Sequence, residues 1–161
     1  MGGAVALCAA ILAPGRVRGV ATVGTSGRLR LPPDIRELVE REPDVFARRF
    51  LPVTLPAGLD TAAAARVRPV FPQAAPHVVK ADFLGVDGTD LLPHLALLRA
   101  PLLAMGGMMD TLTPPGHVRA LAAAAPRGQA VLVEGAGHML PREQPRVVAD
   151  HLLAFMEQCG A

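Results

Sequence analysis

The sequence predicts an α/β chain with a parallel sheet, from three observations. Two short apolar runs, residues 102–105 and 130–133, each end in a glycine-rich turn, Gly106-Gly107 and Gly135-Ala136-Gly137. Neither run is long enough for a helix, and a strand without polar alternation is one covered on both faces, as in a parallel sheet. A helix-patterned segment lies between them and another comes after, so strand, helix, strand and helix alternate as right-handed crossovers require.

The elements read in order along the chain. Residues 3–12 are apolar on every face, which predicts a helix buried on most sides and stopped by Pro14-Gly15. Residues 17–23 read as a strand entering the loop Gly24-Thr25-Ser26-Gly27. Residues 28–94 change texture: charged helical segments at 34–41 and 43–50 are interrupted by prolines at 32, 33, 52, 56, 69, 72 and 76. This middle stretch is an insertion or lid, leaving 1–27 and 95–161 as one core. After the strand at 102–105 and a loop carrying Asp110, Thr113 precedes Pro114-Pro115 and reads as an N-cap with proline at the first helical position. The helix at 118–125 closes at Pro126-Arg127-Gly128, and the strand at 130–133 runs into His138. A last amphipathic helix spans roughly 144–157 and turns Val147, Val148, His151, Leu152 and Phe155 inward.

Composition removes several function classes. A chain of 161 residues with 51% hydrophobic and 19% charged residues is one globular domain, able to bury roughly 70% of its unfolded surface. Its 16 basic and 14 acidic residues are dispersed, and Trp, Tyr and Asn are absent, which argues against a nucleic-acid partner. The longest uncharged apolar run, residues 1–15, falls short of the ~20 residues of a spanning helix and lacks the basic start of a signal peptide. Two widely separated cysteines, Cys8 and Cys159, fit a reducing compartment, so the expected location is cytoplasmic.

The chemistry comes from where two loops must lie. Loops leaving the carboxyl ends of adjacent parallel strands share one sheet edge, so Asp110 and His138 can meet. A carboxylate beside an imidazole fixes its tautomer and stabilises the imidazolium, leaving the other nitrogen to take a proton from a nucleophile. With Thr113 read as the cap, Asp110 has no capping duty of its own. Against this stand the ordinary roles of a solvated turn aspartate and a surface histidine.

The stretches Gly106-Gly107-Met108-Met109-Asp110-Thr111-Leu112-Thr113-Pro114-Pro115 and Gly135-Ala136-Gly137-His138-Met139-Leu140, with Glu143-Gln144-Pro145 after them, resemble the acid and histidine motifs of the α/β-hydrolase superfamily. Met1-Gly2-Gly3-Ala4-Val5-Ala6-Leu7 is similar to the residues just after the nucleophile in that family's Gly-X-Ser-Met-Gly-Gly elbow. The stretches from Arg16 to Thr25 and from Leu98 to Leu103 resemble its next two strand entries. The resemblance implies the carboxyl-terminal part of an α/β-hydrolase fold, a parallel sheet with flanking helices and a helical lid, without the N-terminal strands.

In the family order of serine, aspartate and histidine, Asp110 is the acid and His138 the base, and the serine would sit immediately before Met1. The amide of Met1 would then serve the oxyanion, with Gly2 in the elbow. A complete domain of this kind has about 90 more residues at its front, so the expected start is an internal methionine or the edge of a fragment. Met-Gly-Gly favours serine over the aspartate nucleophiles that more often precede Trp-Gly-Gly. The implied reaction is transfer of an acyl group to water from a small-molecule ester, lactone or similar substrate, with no metal or organic cofactor.

Ser26, the single serine, lies in a loop at the functional edge and reads as a loop or pocket residue, since it lacks the strand-to-helix turn that presents a nucleophile. Cys8 sits in an apolar helix, where a thiol stays protonated. Leu38, Val45, Phe46, Phe50, Leu51, Val70, Phe71 and Phe83 either close an acyl pocket, with Met139, or form the lid's own core. His77, His94 and His117 have no metal spacing, and Asp82, Asp87 and Asp90 lack a calcium-loop pattern. Three readings stay open: part of a serine hydrolase, a truncated relative that binds or pairs its exposed edge with another chain, and a fragment without independent function. Exposed apolar surface predicts that the 161 residues alone are poorly soluble or partly unfolded. The oligomeric state is left open.

Overall fold

The structure, a computed structural model, describes residues 1–53 and 75–160, and the side chains of all of these except 50–53. Helix α1 (Gly2–Leu12) leads through a 3-10 turn (Pro14–Arg16) into strand β1 (Val20–Val23). Helices α2 (Pro33–Arg41), α3 (Pro43–Val53) and α4 (Pro76–Val86) come next, then a second 3-10 turn (Leu92–Leu97) and strand β2 (Leu102–Gly107). Helix α5 (Pro115–Ala124), strand β3 (Gly128–Val133), the single-turn helix α6 (Leu140–Glu143) and helix α7 (Pro145–Gln158) complete the described chain.

Among the described residues the sheet has three strands, ordered β1-β2-β3 and all parallel. Val20 lies opposite Leu102, and Leu102 opposite Gly128, so all three strands point their carboxyl ends at the same edge. β2 is buried at every position, as a central strand without polar alternation should be. Its side chains alternate between two cores. Leu102 and Ala104 join Leu7, Leu95, Val118 and Leu121 on one face. Leu103 and Met105 join Leu140, Val148 and Phe155 on the other.

Four local expectations are corrected. β1 begins at Val20 instead of 17, because the 3-10 turn occupies the preceding chain and the first ladder bond runs from Val20 N–H to the Pro101 carbonyl at 2.9 Å. The pair Gly106-Gly107 belongs to β2, not to the turn after it. His151 is exposed, not inward, since α7 meets the sheet mainly through Val148 and Phe155. Helix α1 is covered on one face only: Ala4, Leu7 and Ala10 are buried, while Val5 is 62% and Leu12 83% exposed.

The middle helices form their own small core of Val39, Phe46, Ala47 and Val79. The rings of Phe46 and Phe83 meet edge to face at 4.7 Å. The two ends of this stretch are clasped together. Arg28 and Asp90 form an antiparallel bridge. Leu29 N–H donates to Thr89 O (2.9 Å), Gly88 N–H to Leu29 O (2.9 Å) and Leu91 N–H to Gly27 O (2.7 Å). Asp87 accepts from Leu31 N–H and from Arg36, both at 2.8 Å, and Arg28 pairs with Asp90 at 2.9 Å. Among the described residues no helix is long and apolar enough to cross a membrane.

Candidate active site

The site lies where the loops after β2 and β3 leave the sheet. Their backbones are bonded to each other: Met108 N–H donates to Val133 O and Met109 N–H to Ala136 O, each at 2.9 Å. The approach is so close that a Cβ on Gly107 would overlap the Ala136 carbonyl, which is why the chain carries glycine there. This contact sets the spacing between the loop of Asp110 and the loop of His138.

Asp110 is 4% exposed, and its carboxylate accepts four hydrogen bonds. Oδ1 takes Leu112 N–H (2.8 Å) and Thr113 N–H (2.9 Å). Oδ2 takes the Thr113 hydroxyl (2.6 Å) and faces His138 Nδ1 at 2.9 Å. All four lone-pair directions of the carboxylate are thus used. Burial pushes the Asp110 carboxyl upward, but the hydrogen bonds from His138 and Thr113 outweigh it and hold the group below the usual carboxylate range.

The expectation for Thr113 is corrected here. It does not cap α5, whose N-cap is Pro114 without any side-chain bond; its hydroxyl goes to Asp110 instead. Two successive prolines need no N–H partners at the helix start, so the threonine is released for the site. Asp110 in turn has a local duty that its sequence pattern did not suggest, since it closes the turn through the Leu112 and Thr113 amides.

His138 has a side chain 23% exposed and is oriented from two sides. Asp110 holds Nδ1, and with a charged acceptor there Nδ1 carries the hydrogen. Nε2 then has no hydrogen-bond partner among the described residues. Below the ring lies Gly24, at the end of β1, with φ of 57° and a would-be Cβ only 3.2 Å from Cε1 of the imidazole. Both the left-handed backbone and the ring above it exclude a side chain there. A buried acid, an imidazole with one fixed nitrogen and a second nitrogen free can move a proton to and from a reacting group.

The remaining sequence candidates separate. Met1 and Gly2 open α1, whose next residue, Gly3, abuts Thr25 beside Gly24; the helix start thus reaches the same edge as His138. Ser26 is buried, and its hydroxyl donates to Arg28 O at 2.7 Å and accepts Arg28 N–H at 3.1 Å. It closes a turn. Phe46 is 2% exposed inside the core of α2, α3 and α4. Met139 is half-buried next to His138. Phe50, Leu51, Val70 and Phe71 lie outside the described side chains. Among the described residues no three His, Cys, Asp or Glu side chains converge as metal ligands would.

Three contributors escape a reading of the sequence: the Thr113 hydroxyl, Gly24 beneath the imidazole, and Glu143, whose Oε2 accepts Gly137 N–H at 2.7 Å. The Asp-X-X-Thr spacing is the available signal for the first, being that of a side chain closing its own turn.

Known proteins share this architecture. The family described as "Alpha/beta hydrolase family" matches residues 1–151. A pimeloyl-[acyl-carrier protein] methyl ester esterase of Edwardsiella ictaluri is 34% identical over 153 residues, covering 86% of this chain and 59% of that protein. The protein of the same name from Xanthomonas oryzae pv. oryzae is 29% identical over 160 residues, covering 86% and 60%. Among solved structures, a thermophilic esterase from Thermogutta terrifontis with malate bound superposes with a TM-score of 0.84 at 25% identity, covering 99% of this chain and 63% of that one. The enol-lactonase from Burkholderia xenovorans LB400 superposes at 0.85 with 24% identity, covering 98% and 63%, and shares the fold. The chain therefore spans about three-fifths of the length of these two curated relatives.

Proposed function

The chain belongs to the alpha/beta hydrolase family, and from that premise we propose that it is the carboxyl-terminal part of a serine-type hydrolase acting on small-molecule esters. The observation that carries the reading is the 2.9 Å contact between buried Asp110 Oδ2 and His138 Nδ1 at the carboxyl edge of a parallel sheet. Relatives that are esterases by name supply the substrate class. Residues 1–27 and 95–161 are core in this reading, and 28–94 a lid clasped at its neck.

The nucleophile in this proposal is a serine N-terminal to Met1. Its oxygen adds to the ester carbonyl as its proton passes to His138 Nε2, and Asp110 stabilises the imidazolium through Nδ1. The same proton then leaves with the alcohol as the C–O bond breaks and an acyl-serine forms. Water attacks that ester with His138 again as base, and returning the proton to the serine releases the acid. Met1 supplies a backbone N–H to the oxyanion, and Met139 borders the acyl pocket. Phe46 and Ser26, engaged elsewhere, serve the lid core and a turn.

A fluorophosphonate probe tests this on the longer protein. It is expected to modify a serine outside residues 1–161, with labelling slowed by orders of magnitude in Asp110→Asn and His138→Ala. Labelling of Ser26, or labelling indifferent to both substitutions, overturns the reading.

A further inference from the structure

The carboxylate of Glu143 plays no part in the proton transfers above, yet it is built into the loop that carries the base. Oε2 accepts at 2.7 Å the N–H of Gly137, the residue immediately preceding His138. Oε1 is buried with no hydrogen-bond partner. Burying a carboxylate that uses only one of its oxygens is unfavourable, so a charge-assisted bond to a backbone amide is the compensation at hand. The neighbouring Gln144 ties the same loop from outside, Nε2 donating to Glu134 O at 3.0 Å. On the opposite side Met109 N–H holds Ala136 O. Both polar groups of the Ala136–Gly137 peptide are thereby engaged, the carbonyl by Met109 and the N–H by Glu143, and Gln144 holds the Glu134 carbonyl before it.

We propose that Glu143 is a positioning residue for His138: its carboxylate fixes the Gly137 peptide and so keeps Nδ1 within hydrogen-bond reach of Asp110. The functional half of this inference rests on reading Asp110 and His138 as a working pair.

Imidazole NMR on 15N-histidine-labelled protein tests it without any turnover, the His138 signals being assigned from His138→Gln. In Glu143→Ala the hydrogen-bonded Nδ1 proton signal is expected to be lost to exchange as Asp110 loses its hold. Glu143→Gln, which retains an acceptor for the Gly137 amide, is expected to restore most of the signal. Should the alanine variant fail to fold, Glu143→Met, close in volume but without an acceptor for the Gly137 amide, takes its place, and a wild-type Nδ1 proton signal in it overturns the positioning role. In the longer protein kcat falls roughly 10- to 100-fold in Glu143→Ala with KM little changed, the size expected of a misplaced group. Asp110→Asn is the control. If it leaves His138 unchanged, the pair itself is disproved. If it shifts His138 while Glu143→Ala and Glu143→Gln both match wild type, the positioning role alone is overturned.

Discussion

Two parts of this molecule tie distant chain segments together, and they do so by opposite means. At the sheet edge the loops after β2 and β3 are joined by backbone bonds, a glycine with no room for a Cβ and a buried carboxylate with four donors. At the neck of the middle helices, backbone bonds also set the register, but the side chains around them are ion pairs with an exposed arginine in each, Arg28 with Asp90 and Arg36 with Asp87. The more exposed pair, Arg28 with Asp90, contributes little, because water screens it and a long side chain loses freedom in making it, whereas the Asp87 side chain is buried. The edge is over-determined and intolerant of change. The neck has a fixed register with replaceable trim.

The sharpest way to break this contrast is Asp110→Asn. An amide there turns a donor toward donors, and in the full-length hydrolase proposed above kcat should drop about 10⁴-fold, the size seen when the orienting acid of a Ser-His-Asp triad is so changed. Steady-state hydrolysis of a simple aryl ester measures it. The same variant tests pH dependence. Asp110 has a folded-state pKa below its unfolded value, so its stabilisation is present above roughly pH 4 and is lost as pH falls through the folded pKa. Urea melts between pH 7 and 3 should show a shallower acid decline for Asp110→Asn than for wild type.

Phe46→Ala comes next, at about 3–5 kcal/mol by the usual cost of emptying an aromatic site. The loss should be confined to α2, α3 and α4, whose core shares no residue with the other two. Hydrogen exchange should therefore report local opening there while β2 stays protected. Gly107→Ala should cost about 3 kcal/mol, since the overlap is with backbone carbonyls that no rotamer can relieve, and it should displace His138. Arg28→Ala at the neck should cost under about 1 kcal/mol, and that small cost should shrink further as salt is added. A thermal melt that ranked Arg28→Ala with Gly107→Ala would erase the distinction between edge and neck.

The legible features were those fixed by strong local patterns. Runs of apolar residues ending in glycine placed β2 and β3, and parallel strand order then put Asp110 and His138 at one edge. Features settled by competition among neighbours were not legible. Thr113 could cap a helix or serve Asp110; Pro114 takes the N-cap position and the threonine hydroxyl goes to Asp110. His151 fits the inward stripe of α7 by periodicity, but Val148 and Phe155 set the angle at which the helix meets the sheet. Gly24 beneath the imidazole joins residues far apart in sequence, which no window of local pattern can reveal.

The all-parallel order of the strands also has a bearing on biosynthesis. Parallel neighbours cannot pair by a hairpin, so each must wait for the intervening crossover to be made. A ribosome extending the chain at roughly 5–20 residues per second delivers Asp110 seconds before its partner, 28 positions later in the sequence. During that interval the nascent carboxylate has its turn amides and the Thr113 hydroxyl, yet no imidazole. The contact between Asp110 and His138 therefore forms in one late step, with the emergence of β3 and the loop behind it.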